Sequence, residues 1–130
     1  MFGFGNKKEN PERKAAREEF ESTCRRLRGA EEVVQIAVGH AINMANSMFM
    51  KTFGSVDGFS RLPNSQKFEY MAKLTNAENA FRDERKDMAS SIGFGLFKMW
   101  VGMITARDTE LIESFATELS FFSRKGNLGM

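Results

Sequence analysis

The chain has 130 residues, of which 42% are hydrophobic and 28% charged, proportions that suit one globular domain and exclude a wholly disordered chain. A net charge of +2 is too small to predict nucleic-acid binding. Cys24 is the only cysteine and His40 the only histidine, which excludes an intrachain disulfide, a cysteine zinc site and a multi-histidine metal centre.

Residues 1–9 are predicted to form a flexible tip. In it Phe2 and Phe4 precede Lys7 and Lys8, whereas a secretory signal places its charges before its apolar run. We therefore expect a cytoplasmic protein. An aromatic tip followed by lysines is also suited to a membrane interface or a groove on a partner.

Apolar residues recur at helical spacing and nowhere alternate cleanly with a period of two. The sequence therefore predicts an all-α fold, a compact bundle of four or five helices that forms a single domain over residues 10–125. The first helix is expected from Pro11 to about Arg28, because Asn10-Pro11 is typical of an N-cap followed by the first helical residue.

The second helix is expected over about residues 31–53, and its apolar side chains cover roughly half of the helix circumference. A face this broad contacts two or more neighbours, so the pattern predicts a central helix. The connection over residues 54–62 is long for a helix–helix loop. Phe59 and Leu62 are expected to hold it against the core.

The third helical segment, about residues 65–106, is predicted to be the other central helix, and its apolar stripe keeps its phase throughout. A single helix of this length would extend about 60 Å. Ser90 and Ser91 are weak helix formers and Gly93 follows them, which favours a break near residues 87–91.

The last helix is expected from Asp108, as its N-cap, to about Arg124. Gly126 is predicted to be its C-cap residue, and residues 126–130 a loose tail.

Residues 89–106 are apolar nearly all round the helix, and five side chains point away from the stripe of the third segment. Such a helix is explained by burial inside one subunit, by contact with another chain or by contact with lipid. Lys98, in the middle of the helix, opposes membrane insertion. The five residues predicted to form an interaction surface are Phe94, Phe97, Trp100, Val101 and Ile104.

Small residues form a seam on the same segment, at positions that lie close together on the helical wheel. Such a seam permits another helix backbone to approach closely. We expect it to pack against the second helix or against a second copy of the chain. Its members are Ser91, Gly95, Gly102 and Ala106.

Chemical groups in the sequence do not assemble a nucleophile, a base and an orienting residue, so no enzyme and no cofactor are predicted. His40, Met44 and Met48 follow one another at helical spacing, which leaves a ligand- or haem-binding bundle as an alternative. Cys24 is expected to be buried as a small hydrophobic residue.

The leading functional hypothesis is therefore a non-catalytic interaction module that packs an apolar and aromatic helix face against itself, as a homo-oligomer, or against a protein partner. The first 29 residues carry eight basic and five acidic residues, a net charge of +3. A peripheral membrane or envelope-assembly factor that uses Phe2, Phe4 and the basic first helix is the rival hypothesis.

Overall fold

The computed structural model describes residues 9–128, in which six α-helices and no β-strand occur. The all-α prediction is confirmed, and the additional helix is a five-residue turn of helix inside the long connection. The six helices are α1 (Pro11–Arg28), α2 (Glu32–Phe53), α3 (Val56–Ser60), α4 (Asn64–Asp83), α5 (Met88–Ala106) and α6 (Thr109–Leu128).

The first two helices lie close to their predicted bounds, and α1 has the predicted N-cap. The Asn10 side chain accepts a hydrogen bond from the Arg13 backbone N–H, and Pro11 occupies the first helical position. Gly29 ends α1, and α2 begins at Glu32, one residue after its predicted start. Within the connection that follows α2, the ring of Phe59 is fully buried, as expected.

The predicted long helix is broken, slightly earlier than its serines suggest. The chain leaves the helix at residues 84–87, where Lys86 adopts a left-handed conformation with φ of 56°. The Asp87 carboxylate then accepts a hydrogen bond from the Ser90 backbone N–H, so Ser90 belongs to the first turn of α5 instead of the break.

The C-terminal helix continues to Leu128, so the predicted C-cap at Gly126 and the loose tail from that residue are wrong for residues 126–128. Gly126 is buried where α6 crosses α2, and a Cβ atom there would lie 2.6 Å from the carbonyl carbon of Gly39. Residues 129–130 lie outside the described residues.

The centre of the bundle is formed by α2 and α5. The principal packing partners of α5 are α2, α4 and α6, whereas α4 packs chiefly on α5. The two halves of the predicted third segment therefore differ: α5 is central, and α4 is peripheral with only Lys67 and Leu74 fully buried among its residues.

The small-residue seam of α5 faces α4, and the expectation that it packs on α2 or on a second copy is wrong. Ser91 Oγ donates to the Glu78 carbonyl at 2.9 Å, and a Cβ atom on Gly95 would lie 2.8 Å from the Glu78 carboxylate. Gly102 lies beside Met71. Because contacts late in α5 match residues early in α4, the two helices are antiparallel.

Candidate interaction site

The predicted interaction surface lies inside the protein. Phe94, Phe97, Val101 and Ile104 are each at most 3% exposed, and Trp100 is half-buried with its indole N–H donating to the Ile112 carbonyl at 3.1 Å. The prediction that these five residues form an interaction surface is therefore wrong for the first four, which are buried inside the subunit, whereas Trp100 is only half-buried.

Aromatic side chains from the neighbouring helices enclose this face of α5. The ring of Phe49 in α2 lies 5.8 Å from that of Phe97 and 6.0 Å from that of Trp100. The ring of Phe81 in α4 lies 5.2 Å from that of Phe94. Since rings at these separations gain both buried area and edge-to-face attraction, surrounding helices suffice to cover the face.

An apolar groove lies between α2 and α4, which we call the α2–α4 groove. Its volume is about 470 Å³. The groove exists because α2 packs mainly on α5 and α6, whereas α4 packs mainly on α5. Both helices therefore rest on α5, which forms the floor of the groove, and neither closes over it. Its lining residues are Ala45, Met48, Thr52 and Phe53 of α2, Leu62, Gln66, Glu69, Tyr70, Lys73, Leu74 and Ala77 of the α4 side, and Phe94 of α5.

The groove has an apolar floor and a polar rim. Leu74 and Phe94 are buried at its base. The rim residues Gln66, Glu69 and Lys73 lie three and four residues apart, on one flank of α4. An apolar base with polar groups confined to the edge is the arrangement of a binding site for an amphipathic ligand.

The groove was not predictable from the apolar pattern of α2, because Met44 and Met48 belong to the broad apolar face that is expected to contact neighbouring helices. Both are exposed, by 50% and 55%. The available signal was the width of that face, which is broader than α5 and α6 together can cover. Uncovered methionines beside an apolar groove provide an adaptable contact surface.

A smaller cleft of about 150 Å³ lies between α2, α5 and α6. Phe97 and Trp100 contribute to its wall, and the mouth carries amide and hydroxyl groups such as those of Asn46 and Ser120. This cleft is the only place among the described pockets where Trp100 reaches a surface.

Reactive groups do not converge at either pocket in the part of the chain that the structure describes. Burial raises the pKa of the Cys24 thiol from 9.0 to about 12, so the thiolate needed for nucleophilic chemistry is suppressed. Burial also raises the pKa of Tyr70, on the groove wall, to about 12. Residues 9–128 contain no group of three or more His, Cys, Asp and Glu side chains placed to hold a metal ion.

The residues of the alternative ligand set occupy one side of α2. His40 is half-buried, beside the point where Gly126 approaches the α2 backbone, and Met44 and Met48 are exposed to solvent. Met48 is the only member of this set that lines a described pocket.

The basic first helix is held in ion pairs. Arg13 contacts the carboxylates of Glu9, Asp108 and Glu110 at 2.6, 2.6 and 2.7 Å, and Arg17 contacts that of Glu9 at 2.8 Å. Hydrogen bonds from Arg17 and then Arg13 lower the pKa of Glu9 to about 2. These pairs weaken the positive field available to an anionic membrane, whereas residues 1–8 of the predicted tip, Phe2 and Phe4 included, lie outside the described residues.

One described helix, α5, is long and apolar enough to cross a membrane by length and composition. The core helix of a water-soluble bundle meets the same criterion, and the aromatic face of α5 is covered by its own chain.

Comparisons of this chain with protein families, with curated proteins and with solved structures find no match.

Proposed function

We propose that this protein is a non-catalytic helical interaction module, and that its binding surface is the α2–α4 groove. The partner is a protein that inserts a helix into the groove. The observation that carries the proposal is the apolar space of about 470 Å³ between two helices that rest on a common floor.

The physical reason is the apolar surface that the groove leaves in contact with water. Helix-in-groove recognition buries the apolar face of an amphipathic helix between two helices of the receptor. Met48 lines the α2 wall and Met44 lies exposed one helical turn before it, and the unbranched side chains of both can adjust to the partner's shape. Burial of such area contributes about 25 cal/mol per Å² before the cost of association.

The test is a titration with an alanine-rich helical peptide of about four turns that carries leucine along one face. Methyl-labelled methionines provide the readout, since Met48 lines the groove and Met88 lies at the far end of α5. We expect the resonances of Met44 and Met48 to shift and that of Met88 to stay. No shift at Met48, or equal shifts at all three, contradicts the proposal.

A groove-filling variant gives the matched control. Ala77→Trp places an indole where the peptide would lie, and Ala72→Trp places the same side chain on an exposed side of α4 that does not line the groove. We expect peptide binding to be lost in the first variant and retained in the second. Equal binding by both variants would place the peptide elsewhere.

A second copy of the chain is the other candidate occupant, because Val33, Met44 and Met48 form an exposed apolar line along α2. Light scattering over a range of protein concentrations separates the two. A dimer that Ala77→Trp dissociates would favour self-association, and a monomer at all concentrations favours a different protein.

A further inference from the structure

The groove has the length of a short helix. Its lining residues on α4 extend from Gln66 to Ala77, which corresponds to about three helical turns or 16 Å at 1.5 Å per residue. A cavity of about 150 Å³ holds one benzene-sized group, so the groove volume of about 470 Å³ accommodates about three large apolar side chains. Three turns of an amphipathic helix present that number on one face.

The two walls of the groove differ in charge. The α4 wall presents Glu69 and Lys73, one turn apart, and the α2 wall presents Met48 and Thr52. Within residues 9–128, neither Glu69 nor Lys73 forms an ion pair or a side-chain hydrogen bond. An occupant can therefore satisfy both charges along one flank only, and turning it end for end would place that flank against the uncharged α2 wall of the groove.

A second copy does not supply the complementary charges. The exposed apolar line available for self-insertion lies on α2, and after Glu32 that helix contains no acidic residue and a single basic residue, Lys51. Lys73 would meet no carboxylate from the stretch of α2 between Val33 and Met48.

Resting on the proposed function, we infer that the groove receives a three-turn amphipathic helix of a second, different protein, held in one direction by a basic side chain opposite Glu69 and an acidic side chain opposite Lys73. The apolar face of that helix supplies the affinity, and the two charges select its direction and its sequence.

Two peptides of identical composition test the inference. Both carry the same leucine face, and they differ only in exchange of the lysine and glutamate on the flank that meets α4. The matched peptide places its lysine opposite Glu69 and its glutamate opposite Lys73. We expect it to bind the wild-type protein about three- to tenfold more tightly than the exchanged peptide, because the exchange replaces two exposed ion pairs by two repulsions. High salt should reduce the difference.

A charge-exchanged protein completes the experiment. Glu69→Lys combined with Lys73→Glu keeps the net charge and should reverse the preference, while Lys14→Glu combined with Glu18→Lys, an exposed pair on α1, should leave it unchanged. Equal affinities of both peptides for the wild-type protein, or a preference that survives the exchange, overturns the inference alone. Absence of binding by either peptide overturns the proposed function with it.

Discussion

At the scale of single residues, the backbones of α2 and α6 approach each other closely where Gly39 and Gly126 cross. An alanine Cβ at position 126 would lie within 2.7 Å of the His40 backbone nitrogen, so Gly126→Ala forces α6 away from α2. We expect a loss of more than about 2 kcal/mol in the free energy of unfolding, measured with urea.

Gly102→Ala is the control for this prediction. A Cβ there would meet only the Met71 methyl at 3.6 Å, an ordinary contact. Because glycine is a poor helix former, the substitution should stabilise the protein by about 0.5–1 kcal/mol. Similar effects of the two alanines would mean that the crossing tolerates a side chain.

Cys24 is expected to make the stability of the protein depend on pH in the alkaline range. Its pKa is raised from 9.0 to about 12 in the folded state, so unfolding releases a proton once the pH exceeds about 9. The stabilising contribution is complete below that pH and declines as pH rises towards 12. We expect the urea midpoint to fall between about pH 9 and 10, and Cys24→Ala to flatten that fall. An unchanged slope in the variant would contradict the assignment.

At the scale of elements, α1 is attached to the start of α6 by Arg13. Its guanidinium bridges Glu9 and Asp108, and the Asp108 carboxylate also accepts from the Leu111 backbone N–H as the α6 N-cap. Arg13→Met should cost about 1–2 kcal/mol in thermal or urea unfolding, because a partly buried charge pair is broken. Arg61→Met, which removes an ion pair exposed to solvent, should change stability little.

Asp108 variants separate the two roles of this carboxylate. Asp108→Asn keeps an oxygen for the N-cap and loses the charge, whereas Asp108→Ala loses both and should be less stable by about a further 1 kcal/mol. Equal stability of the two variants would show that the cap does not contribute.

Element boundaries were predictable where a local signal determines them. Asn10 and Asp108 begin helices because their side chains bind backbone N–H groups within the next turn. The all-α fold and the central position of α2 follow from periodicity in the same way. The Gly126 pairing with Gly39 was not predictable, since glycine near a helix end has the same local pattern whether it caps the helix or crosses a distant one.

The location of the site depended on information that the sequence does not contain. Phe94 and Phe97 were assigned to an interaction surface because one helix stripe was treated as the whole core. Their burial depends on how many helices surround α5, which is a tertiary property. On α2, the helices that surround it leave Met44 and Met48 exposed. The surplus apolar surface that the sequence predicts on the third helical segment is therefore found on α2.

At the scale of the whole molecule, α4 has the fewest buried residues of the five long helices. Two of its residues are fully buried, against seven in α2 and seven in α5. Its polar ties to α5 are the Lys98–Glu78 ion pair at 2.7 Å and the Ser91 hydrogen bond to the Glu78 carbonyl. Elements with few buried contacts open without global unfolding.

We therefore expect hydrogen exchange at the α4 amides to report an opening free energy about 1–3 kcal/mol below that of α2 and α5. Phe20→Leu tests whether this opening is local, because Phe20 stacks on Phe115 between α1 and α6. It should lower protection in α2 and α5 while leaving α4 unchanged. If α4 loses protection in step with them, it opens only by global unfolding.

A helix bound in the α2–α4 groove contacts both walls, so the matched peptide should slow exchange in α4 more than in α6.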